Sequence, residues 1–232
     1  NDFRAVFWVA VVPGVLSVAV LAWGVREPAS QGGVRRTNPI RRENIRRLGP
    51  AYWWVVAVGA VFTLARFSEA FLVLRAQNIG IPMALVPLVM VAMNLVYAAA
   101  AYPFGKLSDR VSHTRLLAWG LVVLILSDVL LATAQHWTLV IAGVAVWGIH
   151  MGMTQGLLSA MVADATPADL RGTAYGVFHL ASGLAMLVAS AVAGLLWDAV
   201  GPAATFWAGG VFAALCLAGL GWRSAGAGRL LR

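Results

Sequence analysis

The stretch TLARFSEAFLVLRA, residues 63–76, sets two opposite charges, Arg66 and Glu69, inside an otherwise apolar run. At a spacing of three they share one face of a helix, with Phe62 and Val73 on the same stripe. A charge at the centre of a membrane helix costs about 2.5–3.5 kcal/mol on insertion scales, so each group needs a partner or water. Arg66 could hold an anionic group on a substrate. Glu69 could carry a proton or hold a cationic group. The purely structural alternative is an internal ion pair that fixes the helices. A second stretch, VWGIHMGMTQGLLSA at residues 146–160, places Trp147, His150 and Thr154 on one helical face. Gly148, Gly152 and Gly156 lie on another face, where small residues allow close packing, and Gln155 falls between the two. His150 could relay a proton or bond a substrate, or it could be a packing residue with a satisfied ring. Asn94, Asp128 and His179 are further polar groups in apolar runs. Asn94 could line a cavity, and Asp128 could take Arg75 as a structural partner.

The elements that must position these groups are membrane spans. Hydrophobic residues make up 61% of the 232 residues and charged residues 11%, too little charge to cover a water-exposed domain of this length. Seven apolar segments reach the roughly 20 residues that a bilayer requires: 3–24, 52–74, 81–104, 116–134, 138–162, 173–197 and 203–222. Helices are expected throughout, because backbone groups in lipid must bond within their own segment.

The net charge of +8 is distributed by side. The segment 25–50 holds Arg26, Arg35, Arg36, Arg41, Arg42, Arg46 and Arg47. Lys106, Arg110 and Arg115 follow two loops later, Arg171 two loops after that, and Arg223, Arg229 and Arg232 close the chain. Of the 17 basic residues, only Arg4, Arg66 and Arg75 fall elsewhere. Positive residues stay cytoplasmic, so the long loop and the C-terminal tail are expected there. This placement explains the basic surplus as a topology signal, and no nucleic-acid partner is expected. Most tryptophans fall near span ends, as an interfacial belt requires. The single cysteine, Cys216, can form no intramolecular disulfide and is expected to pack as a small apolar residue. Neither a P-loop nor a metal-ligand motif is present, so no cofactor and no metal are expected.

The charged loop GKLSDRVSHTR, residues 105–115, resembles the signature of the major facilitator superfamily. Gly105, Leu107, Asp109, Arg110 and Arg115 match it, while Ser112 stands where glycine is commoner and His113 where a basic residue is commoner. The stretch DATPADLRGTAYGVFHLASGL, residues 164–184, is similar to the family's approach to its eleventh helix, carried by Asp164, Pro167, Arg171, Gly172, Gly176 and Gly183. Arg26, Glu27 and Pro28 resemble the exit from its sixth helix.

The resemblance implies an all-α, polytopic membrane helix bundle, a six-helix half of such a transporter plus one preceding helix. Residues 1–24 would be helix six, 25–50 the cytoplasmic basic linker, 51–222 the six-helix C-terminal bundle, and 223–232 a cytoplasmic tail. The family lines its central cavity with helices one, four, seven and ten. The spans carrying Arg66 and His150 take the places of seven and ten. The resemblance also implies a cytoplasmic latch in which Gly105–Arg115, and the residues Asp164, Arg171 and Gly172, meet the N-terminal half of the same transporter. Gly105 would end a helix there, and Asp109 would cap a helix N-terminus or pair with an arginine. The expected activity is secondary transport of a small solute by alternating access, coupled to protons or to exchange, in a bacterial inner membrane. Two other classes stay open. One is a membrane-embedded enzyme, which would need an activated nucleophile or a metal. The other is a non-transporting fragment or half that needs a partner chain.

Overall fold

The computed structural model describes residues 3–24 and 42–229, and every regular element among them is a helix. The segment around Arg26, Glu27, Pro28, Arg35, Arg36 and Arg41, and the last residue, Arg232, lie outside the described residues. Seven helical segments are long and apolar enough to cross a membrane. The chain divides into two units, residues 1–38 and 39–232. The first contributes one helix, α1 (Phe3–Gly24), with Pro13 inside it.

The second unit begins with a short helix, α2 (Arg42–Arg46). Its bundle consists of α3 (Pro50–Ala65), α4 (Ala70–Asn78), α5 (Val86–Ser108), α6 (His113–Thr133), α7 (Trp137–Thr154), α8 (Leu157–Asp164), α9 (Arg171–Ala199) and α10 (Pro202–Arg229). A single 3-10 turn, Ala168–Leu170, precedes α9. The segments 52–74 and 138–162, expected as continuous helices, are each broken in two. The first splits into α3 and α4 and the second into α7 and α8. Gly105 does not end its helix: α5 continues to Ser108, whose hydroxyl donates to the Gly105 carbonyl at 2.6 Å.

Where helices do end, the backbone shows why. Gly80 has φ 89°, and the Gly80 and Ile81 amides donate to the carbonyls of Gln77 and Ala76, closing α4 in a Schellman-type turn. Gly201, at φ 124°, closes α9 with its amide on Leu196. A side chain at either position would strain the backbone.

Helix α7 packs between α5 and α6, α10 lies against α6, α3 and α9, and α3 also packs on α9. Glycines set the closest approach. A side chain at Gly148 would meet the Met93 carbonyl, and one at Gly152 would meet Ala100, so the expected small face of α7 lies against α5. Gly156 meets nothing there, because it falls in the break.

Polar side chains inside the bundle bond backbone carbonyls of neighbouring helices. Tyr52 donates to Ala174 at 2.9 Å, Ser127 to Gly143 at 2.8 Å, and Thr205 to Ala193 at 2.9 Å. Cys216 is buried, with its sulfur facing the Val58 carbonyl.

Arg75 corrects one expectation. Its guanidinium does not pair with Asp128. It donates instead to the carbonyls of Leu131, Ala132 and Ala134 at 2.9, 3.4 and 2.7 Å, and to Asn78 Oδ1 at 2.7 Å. These carbonyls close α6 and have no amide of their own turn to accept from. A buried cation at that end is favoured by both the orphan acceptors and the helix dipole.

Candidate functional site

Both breaks follow the same local pattern. One turn before the first, the Thr63 hydroxyl donates to the Gly59 carbonyl at 2.7 Å. At the end of α7, the Thr154 hydroxyl donates to the His150 carbonyl at 2.9 Å. Such back-bonding competes with the helical ladder and bends it. After the first break Ser68 restarts the chain, its hydroxyl accepting the Ala70 amide at 3.3 Å. After the second, α8 starts from Gly156, whose backbone is already in the right-handed helical region.

Arg66 sits at the first break and Gln155 at the second, and the two meet. Arg66 Nη1 donates to Gln155 Oε1 at 3.1 Å, while Nη2 lies 3.6 Å from Glu69 Oε1. The arginine and glutamate side chains keep 17% and 31% of their surface, so the pair is sheltered yet reachable. The expected proximity of Arg66 and Glu69 is therefore present, but across an unwound segment rather than along one helical face. Gln155, placed between two faces by its spacing, is the residue that joins the two broken helices.

Beside Gln155 opens a cavity of about 390 Å³ between α5 and the α7–α8 break, lined among others by Tyr97, Phe104, Gly152 and Gly156. It extends to Ser108 and His113 at the basic end of the bundle. Sequence reasoning did not single out Tyr97. Its position two helical turns before Gly105, on the face of α5 that meets α7, is the signal that could have found it.

Trp147, His150 and Thr154 do share a face, but that face is buried. His150 Nδ1 lies 2.8 Å from the Gly120 carbonyl on α6, and its ring stacks on Phe62 at 5.6 Å. Trp147 packs between Phe67 and His150. His150 and Thr154 pack against Gly120 of α6 and Trp147 against Phe67 in the α3–α4 break, and none of the three lines the Tyr97–Gln155 cavity. Asn94 is exposed on α5, with its amide donating to the Met90 carbonyl at 2.8 Å.

At the basic end, two loops far apart in sequence come together. His113 Nδ1 lies 3.2 Å from Asp164 Oδ2, and Arg47 donates to Asp169 at 2.7 Å. Both pairs are largely open to solvent, so each contributes little to stability, about 0–1 kcal/mol. Gly105, Asp109, Arg110, Arg115, Arg171 and Gly172 are exposed on this end and Leu107 is half-buried. Asp109 follows the last residue of α5, and among the described residues its carboxylate has no partner. Ser112, at the start of α6, makes no side-chain cap. No group of three or more histidine, cysteine, aspartate or glutamate side chains that could hold a metal ion occurs among the described residues.

Comparison with known proteins adds a lineage to this geometry. Residues 55–228 match the profile of the Major Facilitator Superfamily. The uncharacterized MFS-type transporter MJ1317 of Methanocaldococcus jannaschii is 32% identical over 222 residues, covering 91% of this chain and 54% of that protein. The inner membrane transport protein YajR of Escherichia coli is 22% identical over 221 residues, covering 92% of this chain and 48% of that protein. The chain thus spans about half the length of these relatives.

Proposed function

This chain belongs to the Major Facilitator Superfamily, and we propose that it supplies the C-terminal half of a secondary transporter that moves a small organic anion or zwitterion together with protons. One observation carries this reading: Arg66, at the crossing of two broken helices, is held at once by Glu69 and by Gln155. Discontinuous helices leave polar backbone and charged side chains at membrane depth, where transporters bind their cargo. An ionisable pair there is a functional site by default.

The pair also suggests how cargo and proton are linked. While Glu69 is ionised it competes with any substrate anion for the Arg66 guanidinium. Protonation of Glu69 releases Arg66, so proton and anion favour each other's binding, and by linkage the effect is equal in both directions. Positive coupling of this kind belongs to symport.

The wider arrangement follows the resemblance and the charge pattern. The linker, the loops at Asp109–Ser112 and Ala165–Leu170, and the tail would face the cytoplasm of a bacterial inner membrane. The N-terminal half of the same protein would close over the Tyr97–Gln155 cavity. Asp109 and Arg110 would meet that half in the outward-facing state, and the His113–Asp164 contact keeps the two motif loops in register for it.

Alternating access can be tested at Tyr97, in the full-length protein with Cys216 replaced by alanine. Tyr97→Cys is expected to react with a membrane-impermeant thiol reagent from either face, in vesicles of opposite orientation. Labelling from one face only, whatever pH gradient is imposed, would contradict the reading.

A further inference from the structure

Asp128 lies in the last third of a membrane-spanning helix, 1% exposed, and neither carboxylate oxygen has a hydrogen-bond partner among the described residues. Its surroundings are close and apolar. Around Gly209 of α10, the point where a side chain would begin lies 3.1 Å from Asp128 Oδ2, 2.9 Å from Phe67 Cε1 and 3.2 Å from the Ala65 carbonyl oxygen. Gly210 packs against the Asp128 β-carbon. Ala65 ends α3 and Phe67 lies within the break before α4, so this carboxyl group faces the same discontinuity that carries Arg66 from another side.

The charged and titratable groups on the elements around it are engaged elsewhere. Arg75 of α4 holds the terminal carbonyls of α6. Arg66 and Glu69 hold each other and Gln155. His150 of α7 is bonded to Gly120, and Asp164 of α8 to His113. Cys216 of α10 faces Val58. Ser127, the neighbour of Asp128 on α6, donates to Gly143. An unpaired carboxylate in such a place costs several kcal/mol even after relaxation, whereas the neutral acid avoids the ionic penalty. A metal ion does not fit the donors present, because beside the carboxylate the seam offers one carbonyl and a ring carbon where a hard cation needs a full shell of oxygens.

We propose that Asp128 is a proton-binding site, distinct from Glu69, buried in the α6–α10 seam beside the α3–α4 break. In the packing seen here it carries its proton. Loss of the proton would place a charge in the seam, which must then admit water or part. The proton load of Asp128 is thereby tied to the contact between α6 and α10. The site itself is independent of the transport reading; only its use of a proton gradient rests on that reading.

Infrared spectroscopy of the full-length protein in lipid vesicles, with the aspartate side-chain carboxyls labelled with carbon-13, tests the site without transport. The other described aspartates, Asp109, Asp164, Asp169 and Asp198, are exposed, unlike Asp128. The expected result is a protonated-acid carbonyl absorption at neutral pH that shifts with the label, is lost completely in Asp128→Asn, and persists in Glu69→Gln. Should Asp128→Asn not fold, Asp128→Glu keeps the acid and is expected to move the absorption from aspartate-labelled to glutamate-labelled protein. No label-sensitive acid absorption at neutral pH, or one that both Asp128 variants leave unchanged, would overturn the proposal. If the absorption is present while transport proves independent of pH, the coupling reading fails and the proton site stands.

Discussion

Vesicles carrying the Glu69→Gln form are expected to exchange substrate across the membrane but not to accumulate it. Glutamine has nearly the shape of the protonated acid and cannot ionise, so it leaves Arg66 permanently free of a competing carboxylate. Substrate affinity in the variant should therefore be high at every pH. In the wild type it should be lower wherever Glu69 is ionised, by about 5- to 150-fold, the range of ordinary coupling energies. Uphill accumulation driven by a pH gradient should vanish, because no proton moves with the solute. Equilibrium exchange and initial-rate uptake, each measured across a series of imposed pH values, separate the two effects. An unchanged pH dependence would remove Glu69 from the proton pathway and leave it as a structural partner of Arg66.

The second large effect is expected at Arg66. Arg66→Ala removes the cation, the bond to Gln155 and the partner of Glu69 in one step. A charge-assisted hydrogen bond is worth about 1.5–3 kcal/mol, so substrate binding should weaken by roughly 10- to 100-fold. Arg66→Lys keeps the charge but replaces a planar fork with a point donor that cannot serve Gln155 and a substrate carboxylate in the same plane. It should retain part of the affinity and lose selectivity for planar anions. The conservative variant matters because Arg66→Ala also leaves Glu69 without a partner at membrane depth. Binding measured by isothermal calorimetry or scintillation proximity, together with the thermal midpoint of each variant, distinguishes lost recognition from lost folding. Equal affinity in all three forms would place the substrate elsewhere.

The spans could be read from the sequence because lipid imposes one rule on every segment, and hydropathy follows that rule. The Arg66–Glu69 pair was legible for the same reason: two charges in an apolar run demand each other. The breaks at residues 66–69 and 155–156 were not, because a window of about 20 residues averages across interruptions of four and two residues. Their signals are local and weak alone: a back-bonding Thr63 and Thr154, a capping Ser68, and Gly156 after Gln155. The burial of Trp147 and His150 could not be read either. Helical spacing puts them on one face, but only the approach of Gly120 on α6 decides that this face is closed. Arg75 shows the same limit in reverse. A search for a charged partner points to Asp128, whereas the carbonyl ends of α6 satisfy the guanidinium better. The contact between His113 and Asp164 joins residues of two motifs that each read as a separate loop.

Solute and proton are expected to move together. The most direct measurement follows the wild-type, full-length protein in sealed vesicles given an acid exterior, supplied with a panel of radiolabelled organic anions, zwitterions and cations. It is expected that at least one anion or zwitterion rises inside above its external concentration, and that a protonophore collapses the excess. No solute exceeding its external concentration under any imposed gradient, or an accumulation indifferent to the protonophore, would contradict it.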